Sequence, residues 1–486
     1  MKRGTSLHRA CRNSFGVSMV VLSVCACCFA PKIQAQIVQD ENGNIPAIRH
    51  PEAIEPVIGT AWKQLQQRHL FDFSDSINTV VVDPVIQAHW GQTQGLEPDA
   101  IWDNIRGARF RARIDGMWYV GGELLERQGV ASPMLGHWAA QNRIPGWGRS
   151  KLGRDNGSNT ADNAYYDVSR ARGWCGWSNS KWFIDAGIDA LHIGAGNSSA
   201  FSSLEATPAP YVRVAHETGN HHSSIWLTRW IGTTRGPLGE TAESLLNRSS
   251  ALFAVQSWQA HPRILLQGVY SFVREKEASK AVGDWEGWAD GDSYHAQRHW
   301  GGLELQFTRS LKASLPGTIY LQSALELVPR LGQTDPVLNN RKALTHLAGA
   351  KMGGKTFAIQ IEYVTRTASH CRDCFGSRGA DGSGAFESVG PARALLENGG
   401  VSVQSPWNKS LRLDATWNPW DLLSIKIHAE ANDHFSWLTP EINRTIQTAW
   451  PLDAFAALTV GVIDSAPEAL CFGFWQIGVR SGLLSY

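Results

Sequence analysis

The sequence predicts an all-β fold, a transmembrane antiparallel β-barrel of about 16–18 strands preceded by a short N-terminal periplasmic helical segment. Three observations carry that expectation. An export segment opens the chain, and apolar and polar residues alternate with period two along much of the rest. No later stretch holds the ~20 consecutive apolar residues that a spanning helix requires. Several alternating segments reach the roughly 9–11 residues of a tilted membrane strand, where an average soluble strand has about 5–6.

The first unit is residues 1–35. Lys2, Arg3, Arg9 and Arg12 form a basic head, an apolar run follows from Val17 to Ala30, and Ala35 offers the small residue of a cleavage site. This is the layout of a secretory signal peptide cut after Ala35. Cys25, Cys27 and Cys28 at the end of the run keep a lipoprotein open as the competing reading, although Val24 is bulky for the position before a lipidated Cys. The second unit is residues 36–75. Ile54, Val57, Ile58, Ala61, Trp62, Leu65 and Leu70 fall close to helical spacing and predict one or two short periplasmic helices.

Residues 76–486 make the third unit, the barrel, with strands expected from near Val80. Trp182, Ile184, Ala186, Ile188 and Ala190 alternate with Asp185 and Asp189. Ile319, Leu321, Leu325 and Leu327 oppose Gln322 and Glu326; Phe357, Ile359, Ile361 and Tyr363 oppose Gln360 and Glu362. Leu411, Leu413, Ala415 and Trp417 oppose Arg412, Asp414 and Thr416, and after a turn at Asn418–Asp421 the pattern resumes through Leu423, Ile425, Ile427 and Ala429. That pair reads as a hairpin. Aromatics near segment ends (Trp226 and Trp230, Trp300, Trp417 and Trp420, Trp475) suit interfacial girdles, and the chain closes on Leu484-Ser485-Tyr486. Unpaired backbone groups are costly in hydrocarbon, so such strands cross only as a closed barrel. Roughly 410 residues at about 22–25 per strand and connection set the strand number. Outside loops are expected at Gly153–Asn163, Lys276–Arg298 and Ser369–Gly400.

Charge is balanced, with 45 basic and 44 acidic residues, which argues against nucleic acid as a partner. The 21 Trp and 47 Gly fit either interfacial girdles or a soluble sugar-binding protein. After signal removal Cys175, Cys371, Cys374 and Cys471 remain, read as disulfides or idle thiols. His370-Cys371-x-x-Cys374 lacks a second ligand pair, so no metal is expected. No G-x-S-x-G elbow, P-loop or H-E-x-x-H is present, so no catalysis and no cofactor are expected. Gly194–Ser199 is Gly-rich without the helix and acidic residue of a dinucleotide site.

Arg109, Arg111 and Arg113 alternate with Ala108, Phe110, Ala112 and Ile114. Arg on a lipid face costs about 2–4 kcal/mol at the midplane, so these three are expected in the lumen, joined by Arg106, Arg170 and Arg172. Ion pairing with Glu123, Asp185 and Asp189 is the structural reading; a partly cationic interior that meets an acidic glycan is the functional one. Asp185 and Asp189 could also form a carboxylate pair for glycoside cleavage, a role that lumen acids seldom have. Trp147, in Ile144-Pro145-Gly146-Trp147-Gly148-Arg149, and loop residues Trp285 and Trp288 offer a sugar ring a stacking face, against a blander role as interfacial anchors.

Three stretches resemble the Wzi-like capsule assembly family: Asn104 to Arg113, the Pro145–Gly148 turn, and Ile193 to Ser199 followed by Leu204 and Pro208–Tyr211. The resemblance implies an outer-membrane barrel of about 18 strands with a small periplasmic helical part. It also implies a non-enzymatic, lectin-like role in assembling or holding capsular or other surface polysaccharide. Outer-membrane lipids and the barrel-assembly machinery would be further partners. The matched motifs are structural and carry over no binding residue; on the reading of the lumen and the aromatic residues above, substrate contact would fall to Arg109, Arg111, Arg113, Trp147, Arg149, Arg170, Arg172, Asp185 and Asp189. A porin-like channel or a motility-associated outer-membrane protein stands as the alternative.

Overall fold

The computed structural model describes residues 70–94, 100–130, 165–202, 208–235, 246–276, 294–308, 317–329, 340–369, 409–432, 435–446, 452–463 and 470–481. The short pieces 143–144 and 148–149 are described too, and positions 76, 355 and 421 are not. In chain order the strands are β1 (Phe71–Ser74), β2 (Thr79–Gln94), β3 (Ala100–Ile114), β4 (Trp118–Val130), β5 (Arg143–Ile144), β6 (Gly148–Arg149) and β7 (Tyr165–Ser178). Next come β8 (Trp182–Asp189), β9 (Ala209–Thr218), β10 (His221–Arg235), β11 (Leu246–His261), β12 (Ile264–Lys276), β13 (Tyr294–Thr308) and β14 (Gly317–Pro329). The last are β15 (Asn340–Gly353), β16 (Phe357–Ser369), β17 (Lys409–Trp420), β18 (Leu423–Asn432), β19 (Phe435–Ile446), β20 (Leu452–Ile463) and β21 (Leu470–Ser481).

Apart from β1, β5 and β6, every strand pairs antiparallel with its neighbours in sequence, and β21 returns to β2 over Gln87↔Arg480 to Gln94↔Gly473. The result is a closed antiparallel barrel of 18 strands. β1 pairs with the opening residues of β2, Phe71↔Val82 to Ser74↔Thr79, along the part of that edge that β21 does not reach. β5 and β6 form a separate two-stranded sheet.

Alternation decides which way each side chain points. Phe110, Leu124, Ile184, Ile225, Leu303, Leu321, Ile361, Leu458 and Ile477 are exposed on the outer wall, while Asp103, Glu123, Arg127, Asp185, Arg213, Glu304, Glu362 and Asp453 are buried on the inner one. A water-soluble barrel would invert this. Trp118, Trp182, Trp258, Trp417 and Trp420 ring the end where hairpins turn tightly, and Trp90 and Trp102 stand near the other, with Trp90 edge-on to Trp475 at 5.0 Å. An apolar outer band between aromatic rings, on a closed all-antiparallel wall, places the protein in the outer membrane of a Gram-negative cell. The short turns then mark the periplasmic side.

Several expectations need correction. Strands begin at Phe71, ahead of Val80. β17 runs through Trp420, with an irregular register between Trp417 and Trp420, so the turn follows that residue. Trp226 faces inward and is buried rather than joining a girdle. β13 begins at Tyr294, inside a stretch expected to be loop. The predicted helices, the loops at 153–163 and 370–400, the His370–Cys374 stretch and the chain end at 482–486 lie outside the described residues. Cys175 is a free, exposed thiol.

Candidate functional site

The lumen concentrates the charged chemistry. On one wall, register brings Arg109 of β3, Glu123 of β4 and Arg172 of β7 into a single cross-strand row. Glu123 sits between three guanidinium groups: Arg109 Nη2 at 2.6 Å, Arg170 Nη2 at 2.8 Å and Arg172 Nη1 at 3.8 Å. Arg172 also donates from Nε to Asp189. Asp185 accepts from Arg213 Nε at 2.6 Å and Nη2 at 2.9 Å, and from the Tyr211 hydroxyl at 2.7 Å. Arg213 lies over the Phe183 ring at 4.0 Å and the Trp226 ring at 4.4 Å. Arg113 donates to the Gly116 carbonyl, which holds it in the periplasmic turn.

The opposite wall is acidic and amide-rich, and a chain segment crosses the lumen to reach it. After Asp189 the chain leaves the wall, folds inward through residues 190–202, and closes on itself at Ile193↔Ser202. Its apolar residues Leu191, Ile193, Ala200 and Phe201 are buried against Trp174, Tyr211, Trp226, Phe253, Tyr320 and Leu347, which gives the barrel an internal core. Its backbone amides spend themselves on wall side chains. Ala195 N donates to Glu304 Oε1 at 2.9 Å, Ser198 N to Glu362 Oε2 at 2.9 Å, and Ala200 N to Gln322 Oε1 at 2.7 Å. Lys351 Nζ returns a hydrogen bond to the Ala195 carbonyl at 2.8 Å, and Asn197 Nδ2 reaches Asp414 Oδ2 at 3.4 Å. Glycine is required here. Gly194 has φ +116°, and a Cβ on Gly196 would stand 2.1 Å from Glu362 Oε1 and 2.5 Å from the Ser198 carbonyl.

Of the site residues read from sequence, Arg109, Arg111, Arg113, Arg170, Arg172, Asp185 and Asp189 all lie on lumen-facing positions. Arg106 does not. It shares parity with Phe110, points outward and pairs with Glu126 at 2.9 Å, both side chains being more than half exposed. Arg149 lies in β6, in register with Arg143, and Trp147 lies outside the described residues. Asp185 and Asp189 are each tied to a different arginine, Arg213 and Arg172, so they do not act as a mutual pair. Sequence reasoning missed Arg127, Arg213, Glu304, Glu441 and Arg480 as inner-wall residues. Parity was the available signal, as with Glu304 between Leu303 and Leu305. The inward course of 190–202 left none beyond its glycines.

No family model matches the chain, and no curated protein matches it. Among solved structures it is similar to OccAB1 of Acinetobacter baumannii, at 12% identity over 86% of this chain and 98% of that one, with a TM-score of 0.47. OpdK of Pseudomonas aeruginosa with vanillate follows at 10% identity, 84% and 99% coverage and a TM-score of 0.46. OccK8 of the same organism stands at 10% identity, 83% and 97% coverage and a TM-score of 0.43. Likenesses this distant add nothing to the barrel that strand register already gives. OpdK is named as an outer membrane protein, and none of the three is named as a capsule-assembly protein. With no family match either, the capsule-assembly role implied by the resemblance is corrected: degenerate motifs such as Gly194–Ser199 are accounted for by the close packing of an inward segment.

Proposed function

We propose that the protein is an outer-membrane channel for small hydrophilic solutes, narrowed by the inward segment 190–202. One observation carries the reading: charged and amide side chains line the inside of a closed wall on both sides of that segment, at Arg109, Arg111, Arg170 and Arg172 against Glu304, Glu362 and Asp414. A lumen that only filled space would be stabilised as well by apolar packing, since burying ion pairs is costly. Paired charges that edge a narrow path instead give a polar solute hydrogen-bonding partners along its way. The arginine row supplies attraction for anionic groups, and the acids opposite it hold the segment.

Planar-bilayer recording of the purified full-length protein tests this. Steady single-channel current is expected, and it should rise in Glu304→Ala and Glu362→Ala, which release the segment's amides. Absence of current in the wild type and in both variants, with folded protein present, overturns the channel.

A further inference from the structure

The outward face of β3, β4 and β7 carries a polar patch where the wall meets hydrocarbon. Arg106 and Glu126 are cross-strand partners there, and both side chains are more than half exposed. At about 3.3 Å per residue and a tilt of about 40°, they stand roughly 20 Å above the turn that joins Ile114 to Trp118. The exposed rings of Trp118 at that turn and of Trp102 further up the same face mark the edges of the apolar band. Such a band is about 25 Å tall, so the pair lies inside it, at a level where an arginine against lipid is unfavourable. Asn104 and Gln128, paired one outward step above, and Ser169, opposite Glu126, share the face. Among the described residues none of these three makes a side-chain hydrogen bond.

The ion pair is only half satisfied within its own chain. Arg106 Nε at 3.0 Å and Nη2 at 2.9 Å both donate to the same oxygen, Glu126 Oε2. Arg106 Nη1 and Glu126 Oε1 have no partner among the described residues. A donor and an acceptor of opposite charge are thus left unspent side by side on a surface away from water, which is costly. An anionic lipid headgroup would be drawn to Arg106 and repelled by Glu126. A second copy of this wall meets both signs. A twofold axis along the membrane normal, passing between β3 and β4, sets Arg106 of each copy against the partner's Glu126 and keeps both copies the same way up. Strands about 4.8 Å apart at that tilt place the two residues within about 3 Å of one height, as the axis requires. The surroundings permit close approach. Ala108 and Ala171 are exposed and small, and Phe110 covers Gly122, where a Cβ would stand 2.6 Å from its ring.

We propose that this face is a self-association surface, on which a second copy of the chain docks within the membrane through a ring of four charges. Arg106 Nη1 of each copy donates to Oε1 of the partner's Glu126, while the bonds inside each chain persist. Asn104, Gln128 and Ser169 border the ring and bring further hydrogen-bonding groups to the contact. Complementary charge then fixes the register of the two walls. The contact goes beyond the solute channel and does not depend on it, because each lumen stays closed by its own wall.

Cross-linking in intact outer membranes tests the contact. The full chain, with its native cysteines replaced by Ser, would carry one reporter at a time: Ala108→Cys beside the charge pair, or Leu321→Cys on β14, on a distant stretch of the outer wall. Both positions are exposed. With a short membrane-permeant bis-maleimide, the reporter at 108 should give covalent dimer about fivefold faster than the one at 321. Added to the 108 reporter, Arg106→Glu alone or Glu126→Arg alone should cut the dimer about fivefold, because like charges then face one another. Two differently tagged chains, one with Arg106→Glu and the other with Glu126→Arg, should recover it when expressed together, as the mixed dimer. A role confined to one chain cannot produce that recovery, since neither chain regains its own pair. A reporter at 108 no faster than that at 321, which leaves the patch to lipid, overturns the contact. So do mixed chains that cross-link no better than either variant alone. Where a charge reversal prevents assembly of a heat-modifiable barrel, Arg106→Gln with Glu126→Gln in one chain takes its place; the dimer should again fall about fivefold, and dimer at the wild-type yield overturns the proposal.

Discussion

At residue 123 three arginines share one carboxylate. The cluster is stable because each guanidinium lies on a neighbouring strand with the same inward parity, so register alone assembles it. The same parity rule fixes what substitution does one residue away. Ala112 faces lipid and Arg111 faces the lumen. Ala112→Arg should therefore cost about 2–4 kcal/mol of barrel stability where it lies deep in the apolar band, and less toward the interface. Arg111→Ala, which leaves the lipid face unchanged, should cost less. Urea titration of the two variants in lipid bilayers, followed by heat-modifiable migration on gels, checks the order; equal midpoints would mean that the faces are reversed. This much was legible in the sequence, because a period of two separates Arg109, Arg111 and Arg113 from Phe110 and Ala112 without any tertiary information. Arg106 was misplaced because it breaks that pattern. A charge on the outer face looks like an inner one unless parity is followed strictly from Phe110 downward.

Among the described connections, the segment 190–202 differs from the tight turns that join strands at the wall. It has an apolar side that packs into an internal core and a backbone side that hydrogen-bonds to Glu304, Gln322 and Glu362. Alternation cannot announce such a piece, since it follows neither strand nor helix period. Its only trace in the sequence is the run Gly194-Ala195-Gly196, read there as short of a nucleotide loop. Small residues let the backbone come within hydrogen-bonding distance of the wall. Gly196→Leu tests the point, because its Cβ would stand 2.1 Å from Glu362 Oε1 and 3.0 Å from Tyr320 Cε2. The segment should be displaced, with single-channel conductance at least doubled and the barrel still heat-modifiable. A conductance equal to wild type would show that the segment does not set the narrowest point. The strands themselves were recovered closely: the Phe357–Tyr363 and Ile319–Leu327 alternations sit where β16 and β14 are, and the hairpin through Trp420 erred only in its turn.

On the scale of the whole molecule, one ladder is unlike the others. Sixteen of the pairings in the wall join strands that are neighbours in the chain, a seventeenth joins β4 to β7 past the β5–β6 pieces, and all of these cost little chain entropy to form. The eighteenth joins β2 to β21, and Ile86 N donates to Ser481 Oγ across 395 residues. Strand count and closure followed from length and from the intolerance of hydrocarbon for open edges; the identity of the closing pair followed from neither. Hairpin formation can thus proceed locally and in any order, while β2 keeps an open edge until the final strand arrives. Deleting residues 470–486 should leave every hairpin sequence up to β20 intact and still yield no heat-modifiable barrel, only chain that is degraded or retained before insertion. Stable, folded protein from that truncation would mean that another pair can seal the wall. Assembly is therefore a timing problem. The first strand of the closed wall, β2, is the last to be satisfied, and for that whole interval most of its edge is open to pairing with another chain. β1, paired along the first residues of that edge, shortens the exposed length and lowers the chance of a wrong partner while the rest of the sheet is laid down.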